Sequence, residues 1–281
     1  MNVANDEALL CRVVAALALV PGIEAIALGG SRARGTATAV SDYDIGLYYR
    51  AGRPLDVATL AKAAARLDDR GAEAQVTPLG GWGPWIDGGG WLKIDGKSVD
   101  LLYRDLDRVT AAIDDAHAGK VERFYQPGHP HAFLQIIYVG EVACARVLHD
   151  PGGVLGGLQA RTKPYPPALA QALRERFEWE AEFSLANARK SLERSDLSYL
   201  MGCAFRAVAC LCQTLFALNG VYLLNEKGAV AAIDGFARRP ANFSRRIAAT
   251  YVTLGSGAAV AALDQLAALV SETQTLQFCG E

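Results

Sequence analysis

Two aspartates separated by one residue follow a Gly-Ser turn, a pattern that suggests chemistry on phosphates. Residues 28–35 read LGGSRARG, and Asp42 and Asp44 follow Ser31 at distances of eleven and thirteen residues. A strand that ends at Gly30 and turns into a helix directs backbone N–H groups at an anion, and glycine lets a phosphate approach closely. Alternate strand residues face one side, so the two carboxylates would repel each other unless a cation lay between them. Such oxygen ligands suit Mg²⁺, and the segment therefore predicts a site for a metal-bound nucleotide.

A third carboxylate, Asp100, lies in a later predicted strand. Its neighbours Val99 and Leu101 are apolar and would face a core, so a charged residue between them needs a reason. In a two-metal site one ion binds the triphosphate, and the other lowers the pKa of the attacking hydroxyl. Asp42 and Asp44 would bind both ions. Asp100 would bind the hydroxyl-side ion and would accept the proton as general base.

The elements that must position these residues change in character along the chain. Apolar spacing and turn residues predict helices and short strands in the first part and almost only helices in the second. The predicted helices are 5–20, 54–70, 105–118, 168–194, 197–219, 243–252 and 257–277, and the predicted strands are 23–28, 43–49, 73–77, 91–94 and 98–103. The last two strands flank Asp95-Gly96, a strong hairpin signal. We therefore predict an α+β protein: a small mixed β-sheet domain with flanking helices over residues 1–120, then an α-helical domain over residues 121–281.

Composition excludes several classes of protein. The chain has a formal net charge of −2, 51% hydrophobic residues and a pI near 6.1. The apolar content excludes a disordered chain, and the near-neutral balance disfavours a mainly electrostatic nucleic-acid binder. No secretory signal or membrane-spanning segment is predicted, so the expected location is the cytoplasm. The six cysteines contain no CxxC pair and are interpreted as small buried thiols.

The order of these motifs resembles the signature of the DNA polymerase β-like nucleotidyltransferase superfamily. The match consists of Gly30-Ser31-x-Ala33-Arg34-Gly35, then Ser41-Asp42-x-Asp44, and the later Asp100. It is most similar to small bacterial members, the antibiotic nucleotidyltransferases and the minimal nucleotidyltransferases of toxin–antitoxin pairs. The resemblance implies a mixed sheet followed by a helical domain that helps to hold the acceptor.

The resemblance also implies an activity and roles for the motif residues. The expected reaction moves a nucleoside monophosphate from an NTP, with ATP as the first candidate, to a hydroxyl of a small-molecule acceptor, and releases pyrophosphate. Two Mg²⁺ ions are expected. The metal ligands and catalytic residues would be Asp42, Asp44 and Asp100, and the triphosphate would contact Gly30, Ser31 and Arg34. Arg32 and Arg34 are interpreted either as phosphate contacts or as residues of the helix face.

Two other functions stay open at this point. In the first, the acceptor hydroxyl belongs to a protein side chain or to an RNA end, although the acidic first domain argues against RNA. Alternatively, the chain would bind a nucleotide without catalysis, although a binding module has no need of a third buried acid. The sequence does not indicate an oligomeric state.

Several further residues have both a functional and a structural interpretation. Three tryptophans around a Gly-rich loop (Trp82, Trp85 and Trp91) would stack on a base or substrate, or else pack on the edge of the sheet. The remaining candidates are interpreted as structural or surface residues, since none has metal-ligand spacing or a clear partner. They are Asp87 as an exposed turn acid, His129 and His131 as isolated histidines, Glu175, Glu178, Glu180 and Glu182 as helix-surface acids, Lys227, and the arginines of 238–246.

Overall fold

The computed structural model describes residues 3–71, 75–194 and 196–277 of the 281-residue chain. The helices are α1 (Val3–Leu17), α2 (Gly30–Ala33), α3 (Val57–Leu67), α4 (Leu106–His117), α5 (Ile137–Cys144), α6 (Val154–Arg161), α7 (Pro167–Ser191), α8 (Leu197–Leu218), α9 (Ala229–Ile233), α10 (Phe243–Gly255) and α11 (Ala259–Gln274). The strands are β1 (Ala25–Leu28), β2 (Tyr43–Tyr49), β3 (Gly89–Ile94), β4 (Lys97–Asp105), β5 (Arg123–Phe124), β6 (Phe133–Leu134) and β7 (Arg146–His149). The predicted α+β class, with a mixed sheet and a helical C-terminal region, is confirmed.

The chain forms two compact units. The first comprises residues 1–114 and 138–164, and the second comprises residues 115–137 and 165–281. The chain first leaves unit 1 after Asp114. Residues 138–164, which the prediction placed in the helical domain, belong to unit 1 because their strand β7 pairs with β1.

Unit 1 is built on a five-stranded sheet with the order β3-β4-β2-β1-β7. β2 and β4 run parallel, while the other neighbouring pairs are antiparallel. Alternation along the two central strands sends one set of side chains into the core, including Ile45 and Leu47 of β2 and Leu101 of β4, all with 0% exposure. The intervening residues Asp44 and Asp100 therefore lie on the opposite face. The alternation of the strands is thus what places both acids outside the main core.

The β3–β4 hairpin turns at the predicted Asp95-Gly96 pair, where both residues have positive φ (50° and 73°). These angles are those of a tight hairpin turn, in which Asp and Gly are favoured. The strand predicted over 73–77 lies partly outside the described residues. Its described part, residues 75–77, contains one isolated bridge, between Val76 and Gly90, rather than a strand.

Unit 2 centres on the two long helices α7 and α8, with α10 and α11 beside them. α8 is, among the described helices, the one long and apolar enough to cross a membrane, but 72% of its most apolar window is buried inside the fold. That burial is typical of a core helix. The described cysteines form no disulfide; Cys210 and Cys212 of α8 are buried as predicted, whereas Cys11 is exposed. Cys279 lies outside the described residues.

Candidate active site

The Gly-Gly-Ser turn lies directly against Asp44. β1 ends at Leu28, and the Gly29 N–H donates to the Asp44 carbonyl at 2.7 Å. Gly30 has a φ of +61°, and a Cβ built there would lie 1.7 Å from Asp44 Oδ2. Glycine is therefore required at this position both by its backbone angle and by the carboxylate beside it. The predicted helix after this turn, α2, is a single turn of four residues.

The sheet places the second and third predicted acids opposite each other. Asp44 and Asp100 are register partners in the parallel β2–β4 pair, so their side chains project from adjacent strands on the same face. Asp42 is exposed and immediately precedes β2. The structure thus brings together Asp44, Asp100 and the Gly30 turn, and holds Asp42 one residue before the strand.

Electrostatics couple the three carboxylates. Burial, and then the negative charges of Asp42 and Asp44, raise the pKa of Asp100 to about 6. Burial also raises the pKa of Asp44, and the charges of Asp42 and Glu141 add to this effect. Partly buried acids that repel one another in this way are relieved by a bound cation. Three carboxylates beside a backbone that only glycine can form fit a Mg²⁺–phosphate complex.

A buried ion pair that sequence reasoning missed lies further along the same face. The Arg104 guanidinium of β4 donates to both carboxylate oxygens of Glu141, at 2.6 and 2.7 Å, and lies 5.5 Å from the Tyr138 ring centroid. Glu141 raises the pKa of Asp44 and Arg104 lowers it, so the two members of the pair have opposing effects on the candidate metal ligand, both smaller than those of burial and Asp42. Two signals could have revealed it: Arg104 follows Asp100 by four strand positions, and Glu141 is the single charged residue of the apolar helix α5.

The two arginines of the motif have different surroundings. The Arg32 guanidinium donates to the carbonyl oxygens of Ser41 and Asp42 at 2.6–3.1 Å and stacks on the Tyr43 ring at 3.7 Å. Arg32 therefore fixes the approach to β2 and positions Asp42. Arg34 is exposed, donates to the Gly30 carbonyl at 3.3 Å and is close enough to lower the pKa of Asp44.

The Gly-rich loop packs on the sheet edge. Trp82 stacks on Trp91 of the edge strand β3, with ring centroids 4.5 Å apart, and Trp85 lies 6.3 Å from Tyr138. These contacts favour packing on the sheet edge over stacking on a base or substrate. Trp91 is nevertheless 61% exposed, and it is the register partner of Asp100. The interpretation of Asp87 as an exposed turn acid is wrong. Asp87 is buried, and its carboxylate accepts hydrogen bonds from Tyr49 and Arg108.

A second group of ligand-type side chains lies in unit 2. His131, Glu180 and Cys210 are, within the described residues, the three His, Cys, Asp or Glu side chains whose ligand atoms lie within 4.8 Å of one another. The interpretation of Glu180 as a surface acid is wrong, since it is 3% exposed, and His131 is not isolated. By geometry the group could hold a metal ion. However, Arg123 binds one Glu180 oxygen at 2.5 Å and Arg206 binds the other at 2.5–2.7 Å, so the carboxylate is already neutralised.

The remaining acids and cations of unit 2 mostly have structural partners. Glu226 accepts from the His131 backbone N–H at 2.9 Å, and the Lys227 backbone N–H donates to Asn225. Arg246 pairs with Glu272 at 2.6 Å, and Arg238 contacts Asn219 through its backbone. These contacts favour the structural interpretations of this set.

The comparison with protein-family models agrees with the motif. Residues 10–79 match the family model described as a nucleotidyltransferase domain. The match spans Gly30, Asp42 and Asp44 and ends before Asp100. Over residues 10–79 the chain is therefore similar to nucleotidyltransferase domains.

One solved structure, a nucleotidyltransferase-like protein from Exiguobacterium sibiricum 255-15, is similar over 94% of this chain and 74% of its own, with 12% identity and a TM-score of 0.44. No curated protein sequence matches the chain.

Proposed function

We propose that this protein catalyses the Mg²⁺-dependent transfer of a nucleoside monophosphate from an NTP, with ATP as the first candidate, to a hydroxyl of a small-molecule acceptor, with release of pyrophosphate. The observation that carries the proposal is the placement of the Asp44 carboxylate against Gly30, with Asp100 as its register partner. A phosphate-binding turn and two facing acids are the parts that a metal–nucleotide complex requires. We further propose that the enzyme works in the cytoplasm.

Each motif residue has a role in this reaction. The turn at Gly30 and Ser31 would bind the triphosphate through backbone N–H groups and a hydroxyl, and Arg34 would add a positive charge. Asp42, Asp44 and Asp100 would hold two Mg²⁺ ions. When bound, the ions would neutralise the triphosphate and lower the pKa of the acceptor hydroxyl.

The transfer forms one bond to the α-phosphorus, breaks another and moves one proton. The acceptor hydroxyl oxygen forms a bond to the α-phosphorus, and the bond from that phosphorus to the bridging oxygen of the β-phosphate breaks. Pyrophosphate leaves with that electron pair. The Asp100 carboxylate accepts the hydroxyl proton as general base.

The test is incorporation of label from an NTP labelled at the α-phosphate, first into a panel of small hydroxyl compounds and then into a cell lysate. Asp44→Asn should lower incorporation by about 10³-fold or more, because it removes a metal ligand. Asp107→Asn, a surface acid paired with Arg50, is the matched control and should keep wild-type activity. A chelator should abolish incorporation in the wild type.

The destination of the label decides between acceptors. Label in a small molecule supports the proposal, while label in protein or RNA moves the activity to a macromolecular acceptor. If the protein binds the NTP but releases no pyrophosphate with any acceptor, or if Asp44→Asn retains full activity, the proposed mechanism is wrong.

A further inference from the structure

Unit 2 contains an open cavity of about 490 Å³ beside the Glu180 group. It lies where α7 and α8 pack together, with β5 at its side. The side chains that matter here are Arg123, Trp179, Phe183, Ser184, Tyr199 and Arg206. A volume of this size is typical of clefts that bind small organic molecules.

One wall of the cavity is aromatic and exposed. Trp179 and Phe183, one helical turn apart on α7, have ring centroids 5.0 Å apart and planes within 13° of each other. They are 61% and 52% exposed, and Tyr199 of α8 is 51% exposed. Scattered exposed aromatics are ordinary, but three around one cavity form an apolar surface that a ligand would cover. Because the two rings stack on each other, a flat partner would stack on an outer face of this pair.

The other wall carries a net positive charge. Arg123 and Arg206 both donate to Glu180, whose side chain is 4% exposed, whereas their own side chains are 37% and 47% exposed. Two arginines therefore pair with a single buried carboxylate, which leaves an excess of positive charge beside the cavity. Each guanidinium has five N–H donors in a planar fork, so both can bind an oxyanion while they remain bound to Glu180.

A polar atom at the cavity also lacks a partner. Ser184 is 3% exposed, and its Oγ is buried without a hydrogen bond to any residue in the described ranges. A buried hydroxyl without a partner costs free energy unless a ligand or water satisfies it. Ser184 lies one residue after Phe183 on the same cavity wall, which places a hydrogen-bonding group beside the aromatic surface.

We propose that this cavity binds a small, flat aromatic molecule that carries an oxyanion, a carboxylate or a phosphate. The ring would stack on an outer face of the Trp179–Phe183 pair, and the oxyanion would bind Arg123 and Arg206. A metal ion is a poorer occupant, because these two arginines already bind both Glu180 oxygens. The proposal stands on unit 2 alone and does not depend on nucleotidyl transfer.

The test measures the affinity of the full-length protein for four probes by calorimetry or ligand-observed NMR. 2-Naphthoate and 2-naphthyl phosphate carry both features and distinguish a carboxylate from a phosphate. 2-Naphthylmethanol lacks the charge, and cyclohexanecarboxylate lacks the aromatic ring. At least one naphthyl anion should bind ten-fold or more tightly than either incomplete probe. Equal binding of the neutral probe, or no binding of either anion at millimolar concentration, would overturn the proposal.

Four variants locate the binding. Trp179→Ala and Arg206→Gln should each weaken binding of the preferred anion by ten-fold or more. Their matched controls lie in the same unit but do not line the cavity: Tyr125→Ala, at a residue 91% exposed, and Arg245→Gln. Both controls should bind as the wild type does. Since Trp179 is mostly exposed, Trp179→Ala should fold, and wild-type affinity in this variant would contradict the proposal whatever Arg206→Gln does.

Discussion

The carboxylates of Asp44 and Asp100 in unit 1 and of Glu180 in unit 2 have opposite surroundings. In unit 1, Asp44 and Asp100 face each other and Asp42, and burial with mutual repulsion raises the pKa of both strand acids. In unit 2, burial alone would raise the pKa of Glu180, but His131, 3.7 Å away, and the hydrogen bonds and charges of Arg206 and Arg123 outweigh it and lower that pKa to about 2.

The difference separates a site for a ligand from a structural network. Glu180 obtains its cations from the protein, so its charge stabilises the fold. The aspartates of unit 1 have too little positive charge from the protein, so their arrangement destabilises the fold and is typical of a site for a bound cation. Substitutions in the two regions should therefore act on different quantities.

Among substitutions that leave the carboxylates themselves in place, the largest expected effect is on activity and comes from Gly30→Ala. The new Cβ would displace the Asp44 carboxylate, since it would lie 1.7 Å from Oδ2. A shift of this size in a metal ligand should lower kcat by about 10²-fold. Gly35→Ala is the control, because Gly35 also has a positive φ, +71°, but no atom lies within 4 Å of its added Cβ. Equal losses of kcat in the two variants would show that backbone strain alone, rather than contact with Asp44, is responsible.

The next effect is on stability and concerns Glu180→Gln. Loss of the buried charge leaves Arg123 and Arg206 without their anion, which should lower the free energy of unfolding by about 2–3 kcal/mol. The cost stays moderate because both arginines reach solvent. Urea denaturation measures it, with Glu175→Gln on the exposed side of α7 as control. A change below about 0.5 kcal/mol, as for ordinary surface substitutions, would place Glu180 outside the network that stabilises unit 2.

The stability difference between wild type and Glu180→Gln should depend on pH. A carboxylate whose pKa is lower in the folded state stabilises the fold fully above its ordinary pKa, here 4.5, and loses this contribution as the pH falls towards 2. The free energies of unfolding of wild type and of Glu180→Gln should therefore converge as the pH falls through this range. A difference that stays constant from pH 7 to pH 3 would show that the charge of Glu180 is not the stabilising feature.

The smallest effect is expected for Asp100→Asn in the presence of a chelator. Removal of one repelling charge should leave the free energy of unfolding within about 0.5 kcal/mol of wild type or raise it. The same variant assayed with Mg²⁺ and without a chelator should lose activity. Thermal denaturation beside Asp107→Asn measures the change. A loss of stability as large as that of Glu180→Gln would mean that Asp100 has a structural role like that of Glu180, and the contrast between the units would disappear.

Much of unit 1 could be predicted because its signals are local. The strand 43–49 and the Asp95-Gly96 turn follow from alternation and turn chemistry, and the spacing of Asp42 and Asp44 from Ser31 predicted acids beside a glycine turn. Asp100 could be proposed as the third acid, but local sequence does not place it opposite Asp44, because register depends on pairing between distant strands.

The features that could not be predicted from the sequence depend on contacts between distant segments. β7 is four residues long without a clear period, and it pairs with β1 about 120 positions earlier. In the sequence, nothing distinguishes Glu180 from the other acidic residues of α7. Its partners Arg123 and His131 come from another segment, and no local pattern marks them. Asp87 likewise gains its burial from Tyr49 and Arg108, which local sequence does not reveal.

The most direct test of the central claim is a crystal structure with Mg²⁺ and a non-hydrolysable ATP analogue. We expect a metal ion bound by the carboxylates of Asp44 and Asp100, with the triphosphate at the Gly30-Ser31 turn. A triphosphate bound elsewhere, or at this turn without a metal ion on either aspartate, would contradict it.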